Sequence, residues 1–230
     1  METSSKTVVK QPIRLPFGAA ASLIASLHFF GFLGMWWQPM GEWLQKLTPF
    51  ESFLSLTPLN LLINLVLLLA FHRQFTQRFV LASFLVFLVG YFIEVLGVST
   101  GKVFGVYHYG TVLGYKVLEV PLLIGVNWLI LVYCTVAITK KWLQNPWQVA
   151  ALAAGLMVAM DALIEPVAIH FYFWKWQTEA VPLQNYIAWY LVAFPLCLLM
   201  ASFPKIEQNR LAPVILVAQL LFFLAHNLLL

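Results

Sequence analysis

The sequence predicts an all-α, polytopic integral membrane helix bundle of about seven transmembrane helices with its amino terminus inside. Three observations carry that prediction. Of 230 residues, 62% are hydrophobic and only 10% charged, against roughly 25% charged in a soluble domain. The apolar residues come in runs of about 20, the length that crosses a bilayer. Lysine and arginine fall in ones and twos between those runs, as they do in membrane-protein loops. A chain this long holds about seven such helices and no separate soluble domain, so residues 1–230 read as one transmembrane domain.

Residues 1–15 are polar and basic, with Lys6, Lys10 and Arg14. The apolar run at 16–37 exceeds the core of a signal peptide, about 7 to 15 residues, and reads as a retained first helix. Residues 38–57 mix Trp43, Phe50 and Phe53 with polar side chains and read as interfacial. The second helix is expected at 58–71, short unless it borrows from Ser52 onward, and the third at 79–97. The remaining four are expected at 119–139, 147–170, 186–203 and 211–230. There is no internal repeat.

Orientation follows from the basic residues. One side collects Lys6, Lys10, Arg14, Arg73, Arg78, Lys140, Lys141, Lys205 and Arg210; the other has only Lys46, Lys102, Lys116 and Lys175. Cytoplasmic loops are the richer in such residues, which puts the amino terminus inside and the carboxyl terminus outside; the protein is expected in the cytoplasmic membrane. Helices three and five then run outward. Glu94, Asp161 and Glu165 lie in their outer halves, at one depth.

Several chemistries are excluded. Cys134 and Cys197 sit in apolar spans, so no disulfide framework and no CxxC motif exists. The five histidines form no HxxxH or HExxH pair, and no metal site is expected. GVSTGK at 97–102 is one residue short of a phosphate loop, with Val103 where Ser or Thr is needed. Dispersed basic residues argue for topology and against nucleic acid. A retinal Schiff base needs a lysine that the last span lacks.

The informative stretch is 90–128. Glu94 shares a helical face with Gly90 and Gly97, so something can pack close to its carboxylate. A loop of about twenty residues follows, at 98–118, with Gly101, Gly105, Gly110 and Gly114, Tyr107, Tyr109 and Tyr115, His108, Lys102 and Lys116. Loops this long are uncommon unless they bind or catalyse. Pro121 is expected in the first turn of the next helix, and Glu119 at its start, where an acid suits the dipole.

Asp161 and Glu165 are four residues apart and project from one face. Carboxyls within a span cost roughly 2.5 to 3.5 kcal/mol each on insertion scales and usually face the bundle interior. They read as a polar clamp between helices or as a reaction site. Pro166 is expected to kink the helix there and free a carbonyl. Tyr107, Tyr109, Phe171, Tyr172, Phe173, Trp174, Trp176 and Trp189 read as a headgroup belt or as the lining of a site. His28 and His226 read as hydrogen-bonded packing residues. Lys102 and Lys116 read as interfacial anchors; Lys102, His108, His170 and Asn127 fall near the candidate site, where Asn127 and Asn185 can hold a water or a carboxylate.

With GYFIEVLGVSTGKVFGVYHYG, VPLLIGVNW, DALIEP, FWKWQ and VPLQNYIAW in this order, the chain resembles the membrane carotenoid-biosynthesis hydratase family. That family includes bisanhydrobacterioruberin hydratase and the bacterial gamma-carotene 1'-hydroxylase. The resemblance covers about 90–189; outside it only the hydrophobic pattern matches. It implies an enzyme that adds water across the C1–C2 double bond of an acyclic carotenoid end, giving a tertiary alcohol. The partners it implies are that carotenoid, water and membrane lipid, with room for contact with other carotenoid enzymes and no cofactor. The chemistry needs a proton at C2, a tertiary cation at C1 and a water to capture it. Asp161 is expected as general acid, with Glu165 or Glu94 tuning it and orienting the water. Tyr107, Tyr109, Trp128, Trp174, Trp176, Asn185 and Trp189 are expected to bind substrate. A carotenoid cyclase or isomerase would use the same acid but lose a proton instead of capturing water. A proton-coupled transporter would also carry membrane carboxyls, but the repeated halves common in transporters are absent.

Overall fold

The computed structural model describes residues 15–47 and 53–230. Lys6, Lys10 and Arg14 of the basic amino-terminal stretch, and Phe50 and Ser52 of the interfacial one, lie outside the described residues. The helices are α1 (Phe17–Trp36), α2 (Gln38–Lys46), α3 (Thr57–Ala70), α4 (Gln77–Thr100), α5 (Leu123–Thr139), α6 (Pro146–His170), α7 (Leu183–Ala201) and α8 (Leu211–Asn227). Five helical stretches are long and apolar enough to cross a membrane: Phe17–Trp36, Phe53–Ala70, Gln77–Thr100, Pro146–His170 and Leu183–Ala201. Two shorter apolar helices, α5 and α8, have 17 residues each, about 25 Å at 1.5 Å per residue, the lower end of the spanning range. The protein is an all-α membrane bundle. α3 reaches spanning length only with the 3-10 turn Phe53–Leu56 ahead of it, as expected for a short second helix.

Local chemistry sets the ends. Thr76 accepts the Phe79 N–H to start α4, and Gly101, at φ +66°, closes it in the left-handed conformation that glycine adopts without strain. Asn145 accepts the Trp147 N–H to start α6. α5 is the hub: nearly all its side chains are buried, and it packs on α3, α4, α6, α7 and α8. Pro166 has no N–H to give, yet α6 stays helical through it to His170. The Leu163 carbonyl, three residues earlier, accepts Asn227 Nδ2 of α8 at 2.8 Å.

The fourth helix starts later than expected. β2 (Lys116–Val117) pairs with β3 (Val120–Pro121) around a two-residue turn at Leu118 and Glu119, both at positive φ (50° and 64°). Glu119 is therefore exposed at a hairpin tip and not at a helix start, and Pro121 lies in the hairpin. The Tyr91 hydroxyl of α4 donates to the Val117 carbonyl at 2.6 Å and anchors this hairpin. A second pair, β1 (Tyr107–Tyr109) with β4 (Trp174–Trp176), runs antiparallel and joins the long loop to the segment after α6.

The two ends differ as the basic residues predict. At one end Arg73 reaches Gln208 at 3.4 Å, Lys140 Nζ donates to the Ala201 and Phe203 carbonyls, and Arg210 lies over the Phe17 ring. A polar relay also sits there. Asn209 Nδ2 donates to the Tyr133 hydroxyl at 2.9 Å, that hydroxyl meets His72 Nδ1 at 2.7 Å, and His72 Nε2 meets the Gln74 carbonyl at 3.0 Å. A carbonyl only accepts, so Nε2 carries the hydrogen and Nδ1 accepts from Tyr133. The strand pairs, with Lys102, Lys116 and Lys175, lie at the other end.

Candidate active site

β1 and β4 alternate in and out with the two-residue period of a strand. Tyr107 and Tyr109 face inward opposite Trp176 and Trp174, while His108 faces Lys175 on the outer side. The inward aromatics cover the ends of α4 and α6, where the carboxyls lie. Glu94, Asp161 and Glu165 are each 3% exposed or less.

Each carboxyl has its own donors. Glu94 Oε2 accepts from the Tyr107 hydroxyl and, at 2.9 Å, from that of Tyr109, and its Oε1 accepts from Trp128 Nε1 at 3.2 Å. Glu165 Oε2 accepts from Trp174 Nε1 at 2.9 Å and Trp176 Nε1 at 2.8 Å. Among the described residues Asp161 Oδ2 accepts from Asn185 Nδ2 alone, at 2.8 Å. Burial first, and then the Glu94 carboxyl, push both phenols well above the ordinary tyrosine range, so they serve as O–H donors. Trp189 stacks on Trp128 at 4.2 Å and fixes its indole.

The glycine face makes this possible. A Cβ on Gly90 would stand 2.5 Å from Trp128 Cβ, and one on Gly97 2.6 Å from Phe104 Cδ2 and 3.2 Å from the Tyr107 hydroxyl. The side chains that need those two glycines are the Glu94 donors and the ring that packs on one of them.

Between the carboxyls is a cavity of about 30 Å³, lined also by Asn127, Trp128, Trp174, Trp189, Ile124 and Ile164. That is room for one or two waters. Among the described residues no basic side chain lines it, and the ion pair Lys140–Glu207 is at the opposite end. Asn127 lines the cavity with no hydrogen bond of its own among the described residues. Three carboxyls without a counter-charge cannot all ionise at ordinary cost; the arrangement suits holding and moving a proton beside a trapped water.

A family model described as "Carotenoid biosynthesis protein" matches residues 56–230. The chain belongs to that family. No curated protein and no solved structure matches the chain. Membership in the carotenoid biosynthesis family implies a carotenoid substrate, and the matched region runs well beyond 90–189, from the turn before α3 through α8.

Of the residues expected at the site in this carotenoid biosynthesis protein, Glu94, Asp161, Glu165, Tyr107, Tyr109, Asn127, Trp128, Trp174, Trp176, Asn185 and Trp189 all line the one cavity. Lys102 and His108 do not, which corrects their expected place. Both are exposed: strand alternation turns His108 outward, and Lys102 is held by its backbone, its N–H donating to Thr100 Oγ1 and its carbonyl accepting from Gln184 Nε2 of α7. His170 is also exposed and stacks on Trp36. Lys116 is half-buried and donates from Nζ to the Tyr109 carbonyl, which pins β1 over Glu94. Tyr172 stays outside, exposed. Sequence reasoning missed the apolar walls Ile124 and Ile164, which carry no chemical signature. It also missed the strand pair, although Tyr-His-Tyr and Trp-Lys-Trp each show a two-residue alternation.

Proposed function

We propose that this protein hydrates the acyclic end group of a carotenoid, adding water across the C1–C2 double bond to give a tertiary 1-hydroxyl. The observation that carries this reading is the water-sized cavity enclosed by Glu94, Asp161 and Glu165 with aromatic donors and no basic residue. Asp161 has the fewest donors to satisfy an anion, so it is the carboxyl that holds the reacting proton. It gives that proton to C2, and the tertiary cation forms at C1. Tyr107, Trp128 and Trp176 present ring faces worth roughly 0.5–2 kcal/mol each to a cation. Water adds at C1 and loses a proton to Glu165, whose second oxygen has no donor among the described residues. Glu165 returns the proton to Asp161 four residues away on the same helix face, and the cycle closes.

Glu94, held by three donors, supplies fixed negative charge beside the cation. Asn127 orients the water. The cavity as it stands admits water but no end group, so the alkene enters by displacing half-buried Trp174. By the distribution of basic residues the site faces the outer side of the cytoplasmic membrane. Room for a water between the carboxyls favours hydration over the cyclase reading, since cyclisation needs a cation kept dry.

The test uses cells that make lycopene. Asp161→Asn is expected to lower formation of the hydroxylated product roughly 100- to 10,000-fold while the protein still inserts; full activity would remove Asp161 from the mechanism. In deuterated, oxygen-18 water without oxygen gas, the product should carry label at both the C1 oxygen and the C2 hydrogen. An oxygenase would make none.

A further inference from the structure

The hairpin of β2 and β3 supplies no side chain to the carboxyl cavity, yet it closes a circuit around Glu94. The circuit starts on α4, where the hydroxyl of buried Tyr91 donates to the Val117 carbonyl at 2.6 Å. The adjacent hairpin residue, Lys116, is half-buried and donates from Nζ to the Tyr109 carbonyl of β1. The hydroxyls of Tyr109 and Tyr107 then return to α4 at Glu94, one turn along from Tyr91. Strand geometry decides which edge of β1 Lys116 meets. In an antiparallel pair the backbone groups of successive residues point alternately to one edge and the other. Residues 106 and 110 face β4: the Val106 carbonyl accepts the Gln177 N–H at 2.9 Å, and the Gly110 N–H donates to the Phe173 carbonyl at 2.8 Å. Tyr109, out of step with both, turns its carbonyl to the free edge, and there Lys116 supplies the donor. An ammonium donor makes the bond charge-assisted, roughly twice as strong as one between neutral groups.

We infer that Lys116 is a positioning residue for the reaction, a strut that fixes β1 against α4 so that Tyr107 and Tyr109 stay on Glu94. β1 is held from two sides. On one it pairs with β4, which packs on α6, the helix of Asp161 and Glu165. On the other it is tied through Lys116 and the Tyr91-anchored hairpin to α4, the helix of Glu94. The strut therefore sets one carboxyl-bearing helix against the other. Without it β1 follows β4 and α6 alone, the phenols draw away from Glu94, and the negative charge beside the forming cation is no longer held in place. The effect on rate rests on the proposed reaction; the effect on β1 rests on geometry alone.

The test is a double-mutant cycle on the full-length protein in liposomes loaded with lycopene. Lys116→Met keeps the apolar stem and loses the donor. Tyr91→Phe keeps the ring and loses the hydroxyl, leaving Lys116 and its charge in place. Each should lower kcat about tenfold, the size of one hydrogen bond, with the half-saturating lycopene fraction unchanged. The double variant should be no slower than the slower single one, because both cuts open the same strut. Lys116→Arg should restore most of the rate, and Lys175→Met, which removes an exposed lysine from the outer side of β4, should leave it as in wild type. A double variant slowed about a hundredfold, the product of two independent losses, or Lys116→Met at the wild-type rate would overturn the inference. Amide hydrogen exchange over residues 103–113 reads the geometry without the reaction: it should quicken in both single variants while exchange in α6 stays as in wild type. Unchanged exchange would overturn the strut even in a protein that hydrates lycopene. Quickened exchange in variants of a protein that hydrates nothing would sink the proposed reaction and leave the strut standing.

Discussion

Replacing Gly90 with alanine tests the geometry on which the carboxyl site rests. The new Cβ would stand 2.5 Å from Trp128 Cβ, where carbons in contact lie roughly 3.5–4.0 Å apart. Trp128 cannot yield by turning a rotamer, because its own Cβ is the obstacle, so α4 and α5 must part by about 1 Å. The Trp128–Glu94 bond is already 3.2 Å long and would break. Overpacking costs about 1–3 kcal/mol, and leaving the indole N–H and a carboxyl oxygen unpaired about 1–3 kcal/mol more. The better helix propensity of alanine returns about 0.5–1 kcal/mol. The net loss is on the order of 3 kcal/mol. Gly155→Ala on α6 is the matched control: a Cβ there meets nothing within 4 Å, so only the gain of about 0.5–1 kcal/mol applies. Thermal unfolding of purified protein in one detergent, followed by tryptophan fluorescence, should show Gly90→Ala melting lower and Gly155→Ala slightly higher than wild type, and lycopene-producing cells should lose product only with the former. If Gly90→Ala melted with Gly155→Ala and kept full activity, α4 and α5 would not approach each other this closely and the glycine-face argument would be wrong.

Three other predictions follow from strained or buried positions. Leu118→Asn with Glu119→Gly supplies the residues a two-residue hairpin turn with positive φ prefers and relieves roughly 1–2 kcal/mol of left-handed strain per residue; Tm should rise with hydration unchanged, and a fall would show that the turn is not as described. At the opposite end, burial holds the His72 ring below its ordinary value of 6.5. The unfolded chain then takes up a proton before the folded one, so this residue's contribution to stability is complete above about pH 6.5 and drains away as the pH falls. The fall in Tm from neutral to acidic pH should be shallower in His72→Gln, and Tyr133→Phe should destabilise at neutral pH by about 1–3 kcal/mol by orphaning its neighbours; an unchanged slope in the first would show that His72 does not titrate in this range.

The sequence made the carboxyls legible because an acid inside an apolar run is conspicuous. The four-residue spacing of Asp161 and Glu165 put them on one face, and counting basic residues put Glu94 at their depth. Helix boundaries were legible to within a turn wherever Thr76, Asn145 or Gly101 marks an end, and not at residues 119–123, where a hairpin displaces the first turn of helix. The relay of Asn209, Tyr133 and His72 was not legible, since each member is a single polar residue from a different segment and only the fold unites them. In lipid a helix is apolar on its exposed face as well as its packed one, so exposed Val66 and buried Leu68 of α3 look alike in sequence, and the periodicity that finds a core in a soluble protein is silent.

The choice of partners for the carboxyls explains why the site needs its strands. A lysine or arginine beside Glu94 or Asp161 would hold a carboxylate ionised and leave no proton to give. Tyrosine hydroxyls and tryptophan N–H groups orient the same oxygens without neutralising them, but each is large and brings one donor, so several must converge from well-fixed backbone. A single span presents a face only every three or four residues. Two antiparallel strands present an inward side chain every second residue on both, so Tyr107, Tyr109, Trp174 and Trp176 come together in one small sheet, four donors over two carboxyls. Asp161 lies deeper on α6, one turn beyond their reach, and receives a single amide. The sheet thus supplies two of the three donors to Glu94 and both of those to Glu165 but none to Asp161, whose one donor is an amide of α7, and under the proposed reaction that leaves Asp161 as the carboxyl that gives up a proton most readily.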